Sequence, residues 1–176
     1  MDFKNAGYAL YQVGATKDEL GGSHYGLVNN LSGGAVPQVD TTLAPKIFRA
    51  MHQAINAGLI RSCHDLSEGG LAAAVAEMSF AGELGAEVWL AALGEAVRTD
   101  DDIVLLFSES NTRFVIEVPP NCQAELKAIF EGLPLTEIGV VNDGEKVMFR
   151  GIRGYEVIDS PWRDLKASWQ RTLAWE

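Results

Sequence analysis

Apolar residues recur four apart at Leu43, Ile47, Met51 and Ile55, which places them on one side of a helix. Thr41 or Thr42 stands where an N-cap is wanted, Pro45 falls in the first turn and Gly58 follows the last periodic residue, so the segment carries both its start and its stop. A second helix is expected over "EGGLAAAVAEMSFAG", with Leu71, Val75 and Met78 on one face and Gly82 as its stop. Its alanines suit close packing against a neighbour. A third, short helix is predicted from "QAELKAIFEGL" through Leu126, Ile129 and Phe130, and a fourth from "SPWRDLKASWQRTLAWE", with a Ser cap and Trp162, Leu165, Trp169 and Leu173 on one stripe.

The remaining apolar runs read as strands. "YALYQVG" opens the chain, "LIRSCHDL" precedes the alanine-rich helix, and "AEVWLAAL", "DIVLLFSES" and "RFVIEVPP" follow it. The unbroken apolarity of "DIVLLF" points to a central strand buried on both faces, and the double proline ends the last of the three. Asn142-Asp143-Gly144 inside "PLTEIGVVNDGEKVMFRG" predicts two strands joined as a hairpin, because these residues tolerate positive φ. Between the first strand and the first helix lies "ATKDELGGSHYGLVNNLSGGAVPQVD", a long ordered loop with one turn of helix; loops of this length in a compact domain commonly carry function. Several strands follow one another directly, so the order suits one α+β domain, a mixed β-sheet with packed helices, better than a doubly wound fold.

Composition narrows the function. The 176 residues carry 24 acidic and 14 basic side chains, a formal charge of −10, which repels the phosphates of nucleic acid and of anionic membranes. No apolar run approaches the ~20 residues that span a bilayer, and "MDFKNAGYALYQVG" lacks the pattern of a secretory leader. A cytoplasmic protein that binds neither nucleic acid nor membrane is expected. Cys63 and Cys122 belong to no CxxC pattern and read as small buried thiols.

The chemistry concentrates in "SCHDLSEGG". A triad of His64, Asp65 and Ser67 is disfavoured because neighbouring strand residues point to opposite faces, and a Cys63–His64 nucleophile pair fails for the same reason. His24, His64 and Asp65 are scattered, so no metal site is indicated. Two readings of the glycine turn stay open on spacing alone. In one, Ser67, Gly69 and Gly70 form a helix N-terminus whose free N–H groups cradle a phosphate; in the other, Ser67 or Asp65 caps an ordinary helix and the glycines permit tight packing. Gly21-Gly22-Ser23 offers the same choice between an anion nest and a bend. Ser108, Glu109 and Arg113 at the end of "DIVLLF" either face a cleft or form a hairpin connection with a solvated Glu–Arg pair.

"TKDELGGSHYG", "VPQVD", "SCHDLSEGGLAAAVAEMSFAGELGAEV" and "LFSESNTRFVIEV", in this order, closely resemble the last domain of the phosphoribosylformylglycinamidine synthases, members of the aminoimidazole ribonucleotide synthetase superfamily. The resemblance runs from about Phe3 to the end. It implies one lobe of an ATP-dependent ligase that uses magnesium to amidinate formylglycinamide ribonucleotide in purine biosynthesis, with ammonia from a glutaminase partner. It implies further that the chain is a single C-terminal-type domain of a longer synthetase, paired with an N-terminal-type domain that holds most metal and phosphate ligands. Ser67, Gly69 and Gly70 would then contact the phosphate of ATP or of the phosphoribosyl substrate. His64 and Asp65 would shape the cleft, Gly21, Gly22 and Ser23 would face the partner domain, and no residue of this lobe would be catalytic alone. Self-association of an isolated lobe is expected through its uncovered docking face. The competing expectations are a lobe of a selenophosphate synthetase or thiamine-monophosphate kinase relative, and a stand-alone binding module without catalysis.

Overall fold

A computed structural model describes residues 1–171. Seven strands form one mixed sheet in the order β2-β4-β1-β5-β3-β6-β7. The strands are β1 (Ala9–Val13), β2 (Ser62–Asp65), β3 (Gly85–Trp89), β4 (Phe114–Val118), β5 (Leu135–Asn142), β6 (Lys146–Arg150) and β7 (Glu156–Pro161). Every neighbouring pair is antiparallel except β3 and β6. The helices are α1 (His24–Val28), α2 (Ala44–Asn56), α3 (Gly70–Gly82), α4 (Ala91–Val97), α5 (Asp102–Phe107), α6 (Gln123–Ile129) and α7 (Trp162–Arg171).

The sheet separates two cores, as the alternation of its strands requires. On one face Ala9, Tyr11, Val13, Ile116 and Val118 pack with Ile47, Met51 and Ala54 of α2 and Leu126 of α6. On the other, Leu10, Val115, Ile138 and Val141 pack with Leu71, Val75 and Met78 of α3, Leu105 of α5 and Trp162 of α7. The expected α+β class stands.

Several element assignments change. "DIVLLF" is not a central strand but helix α5, capped by Asp101, whose carboxylate accepts from Ile103 N at 2.8 Å. A six-residue apolar run reads equally as buried strand or buried helix, and the aspartates ahead of it were the deciding signal. "AEVWLAAL" ends as a strand at Trp89 and turns into α4. The hairpin at Asn142-Asp143-Gly144 is absent: β3 lies between β5 and β6, antiparallel to one and parallel to the other. The connection crosses the start of β3, where a Cβ on Gly85 would stand 2.3 Å from Asn142 Oδ1 and 2.7 Å from Lys146 O. Only glycine lets the chain pass there.

Details of the helices differ too. Asp40, rather than Thr41 or Thr42, serves the start of α2, its Oδ1 accepting from Thr42 N and Leu43 N at 2.9 Å each. On α2, Ala50 and Ala54 are buried while Ile55 is exposed. Gly82 is the last residue of α3, and Glu83 forms the left-handed cap after it. Ser160 and Pro161, expected to cap α7, end strand β7. Trp162 is buried and Trp169 is half exposed against Phe80, while Leu173 lies outside the described residues.

Candidate functional site

Strand β2 is an edge strand paired only with β4, and it delivers the glycine turn to the end of the sheet. Alternation along it sends Cys63 to one side and His64 to the other, while Asp65, at the strand end, borders the cavities on both. Cys63 and Asp65, with Ser67, Glu68, Glu109, Asn111, Arg113 and Phe48, line a cavity of about 730 Å³. His64 enters a crevice of about 190 Å³ against α3, which it shares with Glu77 and Ala74. The first volume is of the size that holds a nucleotide-sized ligand; the second is not.

No triad forms. His64 Nε2 lies 2.9 Å from Glu77 Oε2, and its Nδ1 lies 2.7 Å from the carbonyl of Asp65 and 3.5 Å from Asp65 Oδ1, so the two neighbours do approach, but Ser67 does not reach the imidazole. Ser67 instead donates to Asp65 Oδ2 at 2.5 Å. That bond, above all, holds the Asp65 carboxyl below the usual carboxylate range. Cys63 is no nucleophile: burial, with help from the charge of Asp65, pushes its thiol up to about 11.

The glycine amides are already used. Gly69 N donates to Glu109 Oε1 at 2.8 Å, and Gly70 N donates to Ser67 O at 3.1 Å. A Cβ on Gly70, whose φ is 62°, would stand 2.6 Å from Ser108 O and 2.8 Å from Leu106 O, so this glycine seats the start of α3 against the end of α5. Neither Ser67 nor Asp65 caps α3: its N-cap is Gly69, in the left-handed region and with no side-chain hydrogen bond. The glycines pack tightly, and an anion does sit on one of their N–H groups, but that anion is the protein's own Glu109.

Glu109 and Arg113 do not form the solvated pair of a hairpin connection. Arg113 is 1% exposed and stitches the loop after α5 together: Nε donates to Ser110 O at 2.8 Å, Nη1 to Thr16 Oγ1 at 3.0 Å and Nη2 to Ser108 O. Burial lowers its guanidinium to about 10, so the charge persists at neutral pH. The hydroxyls of Ser108 and Ser110 fasten the same loop to Lys17 and Glu19. Sequence reasoning did not foresee this buried cation, and Arg113 at the head of an apolar strand was its only trace.

Of the other candidate residues, Gly21 is pinched against residues 34 and 35 and donates to Ala35 O at 2.8 Å. Ser23 is buried, and its Oγ accepts from Gly26 N at 3.1 Å and donates to Leu20 O at 2.8 Å. Its hydroxyl thus caps α1 and is turned inward, while Gly22 is exposed. Among the described residues no group of three or more His, Cys, Asp and Glu is arranged to hold a metal.

Residues 5–151 match the family described as AIR synthase related protein, C-terminal domain. The chain belongs to this family. Its full length aligns at 36% identity with the phosphoribosylformylglycinamidine synthase subunit PurL of Caldanaerobacter subterraneus subsp. tengcongensis, and 98% of it aligns at 34% identity with that of Synechocystis. It spans about a quarter of those relatives, 23% and 22% of their lengths. Among solved structures, Thermotoga maritima PurL complexed with FGAR superposes at a TM-score of 0.78, with 20% identity, over 93% of this chain and 28% of that one. The Escherichia coli hydrogenase maturation protein HypE superposes at 0.62, with 21% identity, over 88% and 49%. These structural likenesses show a shared fold. Among the described residues no helix is long and apolar enough to cross a membrane.

Proposed function

We propose that this domain is the C-terminal-type lobe of a phosphoribosylformylglycinamidine synthase, closing one side of a ligand cleft whose other side is an N-terminal-type domain. The observation that carries the reading is the alignment of the entire chain with the PurL subunits, joined to a cavity at the glycine turn. ATP and formylglycinamide ribonucleotide are the ligands of the reading, ammonia comes from a glutaminase partner, and the setting is cytoplasmic purine biosynthesis. T. maritima PurL has been seen with ATP and within a PurLQS assembly, which supports the reading.

In this reading the phosphate-bearing part of a ligand lies in the larger cavity, against Ser67, Asn111 and the rim of the glycine turn. Asp65, Glu68 and Glu109 make that wall acidic, with Arg113 the one buried cation among the lining residues. A bare polyanion is poorly served by such a wall, and a cation-bound nucleotide is served better. The residues described do not by themselves suit a resident magnesium, so its ligands fall to the nucleotide and the partner domain. His64 and Asp65 shape the cleft at the strand end and leave the transfer chemistry to the other lobe.

Grafting tests this directly. The chain is put in place of the matching quarter of the Caldanaerobacter subunit, and ADP release dependent on ATP, glutamine and formylglycinamide ribonucleotide is measured. Turnover by the chimaera is expected, together with amide chemical-shift changes around residues 65–70 when ligand is added. Turnover by the purified 176-residue chain alone overturns the lobe reading, and an inactive but folded chimaera favours the selenophosphate-synthetase or kinase relatives or the stand-alone module.

A further inference from the structure

Residues 22–34 leave the body of the domain and return to the same place. Gly21 N donates to Ala35 O at 2.8 Å, and a Cβ on Gly21 would stand 2.5 Å from Gly34 O. The segment is an Ω-loop with α1 at its tip. At its two ends Gly22 and Gly33 have φ of 76° and 94° and nothing within 4 Å of where a Cβ would stand, so neither end is wedged. Of α1 only Gly26 is buried, and Leu27, Val28 and Leu31 are 72%, 74% and 61% exposed.

Beside the hinge, Ser23 N and Oγ donate to Leu20 O at 3.2 and 2.8 Å; beyond it, two contacts tie the tip of this loop to the rest. The ring of Tyr25 stacks on Phe107, with centroids 4.9 Å apart at 19°. Glu109 Oε1 accepts from His24 N at 2.9 Å and from Gly69 N at 2.8 Å, with His24 Nδ1 at 3.3 Å. Glu109 also lines the 730 Å³ cavity. Its partners His24 and Gly69 line a second cavity, of about 470 Å³, whose walls are apolar: Ala72, Ala73, Phe107, Phe149 and Ile158. The carboxylate thus borders the polar chamber while the two residues whose amides it holds border the apolar one.

We infer that Glu109 is the latch of a hinged lid: residues 22–34 open as one unit about Gly22 and Gly33 when the carboxylate lets go, and opening joins the two chambers into one cleft. The charge of Glu109 makes the latch strong while the few buried contacts of α1 keep the lid cheap to lift, the combination expected of a segment that opens locally below the global unfolding energy. The inference stands whether or not the synthase reading holds.

Hydrogen exchange followed by mass spectrometry tests it on the full chain. In Glu109→Ala, amides within 22–34 are expected to exchange faster by about tenfold or more, while those of β1 and the interior of α3 keep their wild-type rates. Glu109→Gln, which retains an acceptor but not the charge, falls between. Binding of the dye ANS rises in Glu109→Ala as the apolar chamber opens. Tyr25→Ala, which leaves the carboxylate intact, quickens the same window as a block. Unchanged exchange in 22–34, an increase spread equally over the domain, a Tyr25→Ala effect confined to its own neighbours, or unchanged dye binding overturns the proposal.

Discussion

Replacing Glu117 by alanine removes the acceptor for three donors at once. Glu117 sits on β4, is 0% exposed, and receives Lys4 N at 3.1 and 2.9 Å on its two oxygens, Asn5 N at 2.9 Å and Ser62 Oγ at 2.7 Å. No cation is among these partners; the charge is held by two backbone amides and a hydroxyl. Orphaning each donor costs ~1–3 kcal/mol, and the lost volume adds to this, so Glu117→Ala should lose roughly 4–6 kcal/mol. That is a large part of the ~5–15 kcal/mol that holds a domain together. Glu117→Gln behaves differently. Its amide oxygen still serves Lys4 and Asn5, the hydroxyl of Ser62 can turn to accept from the new NH₂, and the desolvation of a buried charge is relieved, leaving a loss of about 1–2 kcal/mol. Urea unfolding of the three proteins measures both values, and exchange at the amides of Lys4 and Asn5 reports whether the N-terminal segment has come loose. Two variants within about 1 kcal/mol of each other would refute the claim that unmet donors, rather than lost charge, set the cost.

Three further outcomes are expected. In Ser67→Ala the Asp65 carboxyl loses its main hydrogen bond, so an NMR titration should find its pKa moved up toward the ordinary aspartate value of ~3.9. Because the folded value is depressed, the stability this carboxylate contributes is present above the ordinary value and is lost as pH falls through the folded one, a dependence that shrinks in the variant. The thiol of Cys63, pushed up to about 11, is only about one part in a thousand thiolate at pH 8, so alkylation in the native protein should run roughly a hundredfold slower than for a free cysteine and recover in denaturant. Gly70→Ala should cost clearly more, by thermal unfolding, than Gly22→Ala: both adopt positive φ, but only at Gly70 would the new methyl meet the backbone of residues 106–108.

What the sequence made legible follows from where its signals are local. Helix α2 announces itself because period, proline and terminal glycine agree within sixteen residues, and the glycine turn stands out because glycine has few other uses beside a serine. "DIVLLF" misled because burial erases periodicity, the one cue that separates strand from helix. The hairpin at Asn142 failed because its turn residues are compatible with a sharp reversal but say nothing about a third strand slipping between the arms. The buried role of Glu117 left no local trace, because its partners at Lys4 and Asn5 are more than a hundred residues away. The site shows the same division. Ser67, Asp65 and His64 were visible as a cluster, whereas Glu109 reaches Gly69 across forty residues, and no spacing rule reports that its carboxylate fills the place where a ligand anion was expected.

The insertion of β3 between β5 and β6 also sets the timetable of folding. β3 ends at Trp89, yet neither strand that flanks it has been synthesised until residues 135–150 emerge, and Ala9 of β1 waits for Val118 and Val140. Few sheet contacts are local, so loop-closure entropy must be met before the ladder repays it, and refolding should be slow for a chain of this size. On the ribosome the first hundred residues of the domain include a β1 that is apolar on both faces and has no partner strand, a species whose exposed apolar surface needs shielding until the last third of the domain arrives.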